Sequence, residues 1–234
     1  MSRHMSTGRT LFLGAAFSTL VSGGAFAAED AQPVAAAPAP AAVTTYQIDP
    51  AKTELVAQLF KAGVAARLAH NHVIRAKDVS GVLEYDPARP QDAKLNVTVK
   101  TKSLRVDETR DRKKYGLAGI IDAGDQKTIT ENMQDEDQLW VSKYPTLSFA
   151  SKSFQPNSDG TLTVQGNFTV RGVTKPVSVQ AVLAPHEGDA MRGTAKLKFL
   201  QSQFGYEPYE AMLGAIKVED EVTVHIELVA RPKK

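Results

Sequence analysis

The chain has 234 residues with 28 Lys and Arg, 26 Asp and Glu, and no cysteine. It is long enough for one domain, whose packed core must supply the stability because no disulfide can form. A formal net charge of +2 with no basic face argues against a nucleic-acid-binding protein.

The N-terminus predicts export. Arg3 and Arg9 precede the apolar run LFLGAAFSTLVSGG, and Ala25-Phe26-Ala27 follows it as a small-x-small cleavage site. This order is typical of a secretory signal peptide, predicted here for residues 1–27, and the run is shorter than the roughly 20 residues of a membrane-spanning helix. We therefore expect a periplasmic protein with no transmembrane segment after signal removal.

The segment 28–44 is rich in Ala and Pro and contains almost no large apolar side chain. Such a composition cannot bury enough surface to offset the entropy of ordering, so a disordered linker is expected. The folded domain is predicted for residues 45–231.

Most of this domain alternates apolar and polar residues at period two. The stretches LNVTVKTKSL, KPVSVQAVL and EVTVHIELV each place one apolar and one polar face along a strand. Eight or nine such segments, separated by turn residues, predict an all-β antiparallel meander that is either a sandwich or a barrel. Residues 122–138 lack the alternation and predict one helix, whereas the charged run DETRDRKKY at 107–115 is interpreted as a solvated loop.

The motif His70-Asn71-His72 is the main candidate for chemistry. In a strand the two histidines share a face, a spacing used for two of three His ligands of zinc, but a third ligand is not evident. His225 lies on the polar side of its strand and is expected to face solvent, while neither Glu84 nor Asp49 is placed near the pair. No nucleophile elbow, metalloprotease helix or phosphate loop is present, so no catalytic residue is predicted.

Five stretches, in order, resemble the YceI-like family of exported bacterial proteins. They are YQIDPAKTELVAQLF, SGVLEYDPARP, KYPTLSFASKSF, GNFTVRGVTKPVSV and QSQFGYEPYEAMLGAIKVEDEVTVHIEL. The sequence departs from the common pattern in a long insertion between Arg110 and the Tyr-Pro strand. It also departs in LAHNHVIRA, which resembles a His-containing subgroup.

The resemblance implies an extended, antiparallel, eight-stranded lipocalin-like barrel with one short helix in the insertion. It further implies an apolar tunnel that holds a hydrophobic small molecule, such as a polyisoprenoid or isoprenoid quinone, without catalysis. No cofactor other than such a bound lipid is expected. Whether the protein carries, stores or senses the lipid, and whether it forms a homodimer, stays open.

The strand alternation predicts which residues face the tunnel. The predicted lining residues are Leu83, Tyr85, Val97, Val99, Phe149, Phe168, Leu197 and Phe199. Met133 on the predicted helix is expected to cover an opening, and His70 and His72 are expected at the mouth, where they contact a lipid head group or serve only a structural role. The alternative is a metal- or haem-binding protein that uses His70 or His72 as a ligand.

Overall fold

Antiparallel strands and two α-helices form the part of the chain that the computed structural model describes, residues 43–233. The predicted signal peptide and most of the predicted linker lie outside these residues. The strands are β1 (Thr44–Ile48), β2 (Glu54–Ala62), β3 (His72–Ala76), β4 (Val79–Tyr85), β5 (Lys94–Lys100), β6 (Leu104–Val106), β7 (Thr146–Pro156), β8 (Leu162–Val170), β9 (Val173–Pro185), β10 (Met191–Leu200), β11 (Glu210–Ala211) and β12 (Ile216–Pro232). The helices are α1 (Thr109–Lys114) and α2 (Ala123–Gln134).

The strands close into a barrel. Hydrogen bonding runs in the order β1-β4-β5-β7-β8-β9-β10-β12, and β12 pairs back with β1 from Ala230 to Pro232. Each of these eight strands therefore pairs with a neighbour on both sides, which resolves the choice between sandwich and barrel that alternation alone left open. The predicted all-β, eight-stranded antiparallel barrel is confirmed.

Three of the barrel strands are interrupted. The long strand β12 pairs with β1 near its end and with β2 over Lys217–Glu227, so β1 and β2 are two halves of one barrel strand. In the same way β3 continues into β4, and β5 continues through a short 3₁₀ turn into β6. The halves β2, β3 and β6 extend the sheet beyond the ring at one end.

Helix α2 lies at that end, where β7 pairs with β5 but not with β6. The helix begins after Asp122, whose side chain accepts a hydrogen bond of 2.9 Å from the backbone N–H of Asp125. Met133 and the following Leu139 pack against the main core cluster. The helix predicted for residues 122–138 is thus observed as Ala123–Gln134, and Met133 covers the gap beside β6.

The prediction of a solvated loop at 107–115 is wrong. Residues Thr109–Lys114 form helix α1, and Asp107, Asp111 and Arg112 are buried. A run rich in charged residues is normally hydrated, which is why composition predicts a loop. Here the acidic and basic side chains form one buried network in which the charges are paired. None of the helices within residues 43–233 has the length and apolar character needed to cross a membrane.

The core lines the barrel from end to end as three clusters. The central cluster includes Val79 and Val99, and the cluster at the end with α2 contains Val170, Phe204 and Tyr206. The cluster at the opposite end contains Ala93, Phe154, Leu162 and Val164. The clusters coat the wall without filling the interior, which leaves the cavity described next.

Candidate functional site

A cavity of about 360 Å³ occupies the inside of the barrel. Its volume falls within the range of about 300–1,000 Å³ typical of small-molecule sites. The wall comes from the apolar faces of the alternating strands, so that on β9, for instance, Val177, Val179, Ala181 and Leu183 all line it. The prediction that alternation sets the inward face is confirmed for this strand and for β12.

The cavity is long in the direction of the strands. Met191 and Phe199, at the two ends of β10, both line it. At a rise of about 3.3 Å per residue this separation corresponds to roughly 26 Å along the strand. An elongated apolar ligand would therefore fit the cavity better than a compact one.

The polar side chains of the wall gather mainly at the end with α2. These residues are His72, Asn132, Gln138, Ser148, Gln201, Tyr206 and Tyr209. Toward the opposite end the wall is formed by residues such as Phe154, Leu162 and Met191, with Thr194 as a polar exception. The cavity is thus apolar along its length and carries most of its few polar side chains at one end, called the polar end below, which suits an amphipathic ligand.

His72 is held in place by a buried carboxylate. Its Nδ1 lies 2.6 Å from Oδ2 of Asp107, and the other oxygen of Asp107 accepts hydrogen bonds from the Val73 N–H at 3.1 Å and from Arg112 at 2.8 Å. Burial acts to raise the pKa of Asp107, but the bonds from His72, Val73 and Arg112 outweigh it and lower that pKa. The second ring nitrogen of His72, Nε2, has no hydrogen-bond partner among residues 43–233 and remains able to contact a ligand.

Arg112 ties this carboxylate to the backbone around it. Its guanidinium also donates to the carbonyls of Asn71, Ala118 and Gly119 at 2.6–3.0 Å. A planar guanidinium with several fixed acceptors holds the loops before β3 and after α1 in one arrangement. The position of the His72 ring consequently depends on the insertion as well as on β3.

A second buried pair joins α1 to the outer face of the barrel. Arg75 on β3 makes two hydrogen bonds to Asp111, at 2.7 and 2.5 Å, and lies 3.3 Å from Glu54. Desolvation acts to raise the pKa of Asp111, yet Arg75 lowers it below its ordinary value. The pair anchors α1 over β2 and β3.

His225 lies under the same helix, which corrects the expectation that it faces solvent. Its Nε2 is 2.6 Å from Oε1 of Gln58, and its ring centroid is 4.7 Å from that of Tyr115. Burial, together with the charges of Lys196 and Lys114, lowers the pKa of His225. The side chain is on the outer face, as alternation indicates, but the end of α1 covers that face.

Nine of the eleven residues predicted from the sequence line the cavity. They are His72, Leu83, Val97, Val99, Met133, Phe149, Phe168, Leu197 and Phe199. Their placement agrees with the prediction, whereas their contact with a ligand stays a prediction.

His70 and Tyr85 lie elsewhere. His70 is exposed and precedes β3, because the strand begins at His72, opposite Leu59, while Asn71 accepts a hydrogen bond from the Lys61 N–H in the connection before it. The two histidines therefore do not share a strand face. Tyr85 ends β4 and packs against the cluster of Ala93 and Phe154 beyond the cavity.

The polar residues of the α2 end were not found from the sequence. Asn132 and Gln138 lie in the insertion, and Gln201 lies in the 3₁₀ turn after β10. Composition alone predicts a solvated loop around Asp107 and Arg112, whereas both side chains are buried. Their role becomes visible only when the charged run at 107–115 lies beside His72. The pairing of β3 with β6 brings the two together, and local sequence does not predict that pairing.

Within the described residues no group of three or more His, Asp or Glu side chains is arranged to hold a metal ion. His72 and Asp107 form a pair, but among the described residues no neighbouring strand supplies a third side chain to complete a metal site.

Comparison with known proteins places this geometry in a family. The model of the YceI-like domain matches residues 46–230. A UPF0312 protein of Shewanella oneidensis is 32% identical over 144 residues, which cover 59% of this chain and 66% of the relative, just under two thirds of its length. A UPF0312 protein of Shewanella baltica is 30% identical and is covered to 67%.

Several solved structures share the fold. Burkholderia cenocepacia BcnA superposes with a TM-score of 0.61 at 22% identity, covering 79% of this chain and 99% of BcnA. A polyisoprenoid-binding domain from Saccharophagus degradans gives a TM-score of 0.56 at 12% identity, covering 81% and 99%. At these identities the likeness establishes the barrel and not the ligand.

Proposed function

This chain belongs to the YceI-like domain family, and we propose that it is a non-catalytic periplasmic protein that holds an amphipathic lipid, such as a polyisoprenoid or isoprenoid quinone, in its barrel. The solved barrel of Saccharophagus degradans described as polyisoprenoid-binding supports this ligand class. The signal peptide predicted for residues 1–27 supports export.

The observation that carries the proposal is the elongated apolar cavity with one polar end. Removing apolar surface from water stabilises a bound chain by about 25 cal/mol per Å², and a preformed cavity gains this without ordering itself. In the proposed complex the chain of the lipid lies along β9 and β10, and its head lies beside His72 and Gln201. No covalent step is required.

His72 is the residue proposed to contact the head group. Asp107 fixes the ring through Nδ1, so Nε2 is presented in one orientation to a hydroxyl, quinone oxygen or phosphate. His72→Gln should weaken retention of a prenyl alcohol or prenyl phosphate and leave retention of the matching prenyl hydrocarbon unchanged. His70→Gln is the matched control, because His70 lies outside the cavity and its change should alter neither. Equal loss of all three ligands would show that His72 acts only on the structure.

The direct test is native mass spectrometry of the mature protein, isolated from periplasm without lipid extraction. We expect an adduct of several hundred daltons that fragments as a prenyl chain. Protein that is isolated bare and takes up no prenyl lipid when incubated with it would contradict the proposal.

A haem or a metal ion is the second candidate ligand. A histidine whose Nδ1 is bonded to a carboxylate is the arrangement that metal-binding imidazoles favour, and His72 has it. Absorption spectra and metal analysis of the same sample separate the two candidates, because haem gives a Soret band and a prenyl chain does not.

A further inference from the structure

Two loops beside the polar end of the cavity expose apolar side chains. Val64 and Leu68 lie in the connection between β2 and β3, and Met212 and Leu213 form the tip of the β11–β12 hairpin. Tyr209, at the start of that hairpin, is 40% exposed. We call these five side chains the rim patch.

The two loops form one surface. The backbone N–H of Ala65 donates a 2.8 Å hydrogen bond to the carbonyl of Ala215, which joins the first loop to the second. Gly63, with φ of +92°, allows this close approach, since a Cβ there would lie 2.5 Å from the same carbonyl oxygen. The four apolar tips thus project from a braced edge.

The rim patch is continuous with the cavity. Tyr209 belongs to both, because it lines the cavity and is partly exposed. Leu59 and Val218, which precede and follow the two loops, also line the wall. A lipid that leaves through the polar end would therefore pass along this patch.

The hairpin tip carries its apolar residues against backbone preference. Met212 and Leu213 both have φ of +52°, and the Gly214 N–H donates to the Ala211 carbonyl at 3.1 Å across them. Gly214 follows with φ of +82°, so three successive residues form a left-handed turn, a conformation that Gly and Asn adopt more readily than bulky side chains. Strained, exposed Met and Leu at a projecting tip point to contact with an apolar phase.

Charge favours an anionic lipid as that phase. Arg67 is exposed between Val64 and Leu68, and none of the ion pairs within residues 43–233 includes it. Residues 63–71 contain no Asp or Glu, so this loop presents a positive charge, while Lys217 and Glu210 of the hairpin form an ion pair with each other. Cations flanking exposed apolar side chains are typical of proteins that bind anionic membranes.

We propose that the rim patch docks the protein on an anionic phospholipid bilayer, with the polar end of the cavity facing the membrane, so that cargo moves between bilayer and barrel without crossing water. This inference rests on the proposed lipid-binding function. A bilayer fits better than a second protein, because a stable protein interface uses about 20–30 residues on each side and the rim patch has five.

The test is co-sedimentation of the full mature chain with vesicles of phosphatidylethanolamine and phosphatidylglycerol. The Met212→Asn/Leu213→Gly double variant places the preferred residues in the turn, so its unfolding midpoint should not fall. Its partition onto vesicles should fall at least roughly tenfold, because burial of a single Leu or Met side chain already exceeds a tenfold effect. Arg67→Gln should reduce the preference for these vesicles over pure phosphatidylcholine.

Val43→Ser is the matched control, since Val43 is an exposed apolar residue at the opposite end, next to the strand that pairs Thr44 with Tyr85. Unchanged partition of the double variant would overturn the inference. So would sedimentation velocity showing that the patch instead joins two copies in solution.

Native mass spectrometry of the same samples separates this inference from the function beneath it. Protein that carries a prenyl lipid but does not bind vesicles would overturn docking and leave lipid binding intact. Patch-dependent vesicle binding by a protein that never holds a lipid would support docking and overturn the proposed cargo.

Discussion

At the scale of single residues, the shape of the cavity depends on a glycine. Gly166 on β8 faces the interior opposite Ser151, and the ring of Phe149 lies over it, so that a Cβ at 166 would be 2.4 Å from Phe149 Cζ and 2.6 Å from the Ala150 carbonyl oxygen. The ring fills the space that a side chain would occupy and completes the wall. An aromatic ring packed over a strand glycine also protects the backbone at that point.

Gly166→Ala should lower the free energy of unfolding by about 1–3 kcal/mol, the usual range for overpacking, because the Phe149 ring and the neighbouring backbone must both move. Gly193→Ala is the matched control: it is another cavity-lining strand glycine, but its Cβ would meet only Leu183 Cδ1 at 3.8 Å. That variant should be neutral or slightly stabilising. Urea unfolding of the two variants measures the difference, and equal losses would show that the ring does not depend on the glycine.

Residue-level prediction succeeded where local pattern suffices and failed where a partner comes from elsewhere in the chain. The inward positions of Val97, Val99 and Phe149 follow from period two alone. His70 was misplaced because the start of β3 is set by its pairing with β2, which local sequence does not encode. Asp107 was misread because its buried partners, His72 and Arg112, meet it only in the folded barrel.

At the scale of elements, helix α2 is the part of the cavity wall that we expect to unfold locally most easily. Asp122→Ala removes the side chain that caps the Asp125 N–H and should cost about 1 kcal/mol. Amide hydrogen exchange over residues 123–134 should quicken, because the helix has no buried residue of its own to hold it. Thr128→Ala, an exposed change to a better helix former, is the control and should leave exchange slow. Slowed or unchanged exchange in Asp122→Ala would show that packing of Met133 alone maintains the helix.

Helix α1 should make stability depend on pH through His225. The folded state lowers the pKa of this imidazole below the ordinary 6.5, mainly by burial, so the unfolded chain binds a proton more readily than the folded one. Stability should therefore be full above about pH 6.5 and decline as the pH falls through the interval between 6.5 and the lower folded value.

His225→Gln keeps a donor toward Gln58 and removes the titration. Above pH 6.5, the difference in unfolding midpoint between the original protein and this variant should not change with pH. As the pH falls below 6.5, the variant should become more stable relative to the original protein. A difference that does not change with pH would mean that the ring under α1 titrates as it does in water. Comparison of the two proteins cancels the contributions of the other histidines.

The helical elements mark the limit of what pattern alone could predict. Residues 122–138 predicted a helix because strand alternation stops there, and α2 follows. Helix α1 has six residues, too short to be stable alone, and exists because Arg75 and Asp111 bind it to β3. Such a helix depends on tertiary contacts that a reading of local sequence does not contain.

At the scale of the whole molecule, closure of the barrel is what turns alternating strands into a container. The alternation predicted one apolar face per strand but left sandwich and barrel equally open, and pairing of β1 with β12 decides between them. Resemblance of five separated stretches indicated the barrel before the pairing was known. The interrupted strands β2, β3 and β6 were not predicted, because each break is set by the register across the sheet.

If the cavity holds the cargo, the stability of the whole barrel should depend on it. A ligand that binds only the folded state raises the free energy of unfolding. The increase is about 2.7 kcal/mol when the free ligand concentration is roughly 100 times the dissociation constant. Protein stripped of lipid should therefore melt at a lower temperature than loaded protein, and added prenyl lipid should restore the difference. Val179→Trp fills the cavity from β9 and should abolish most of the restoration, whereas Ser178→Trp, the adjacent exposed residue, should preserve it. Melting temperatures measured by calorimetry with and without lipid check this, and full restoration in Val179→Trp would place the cargo outside the barrel.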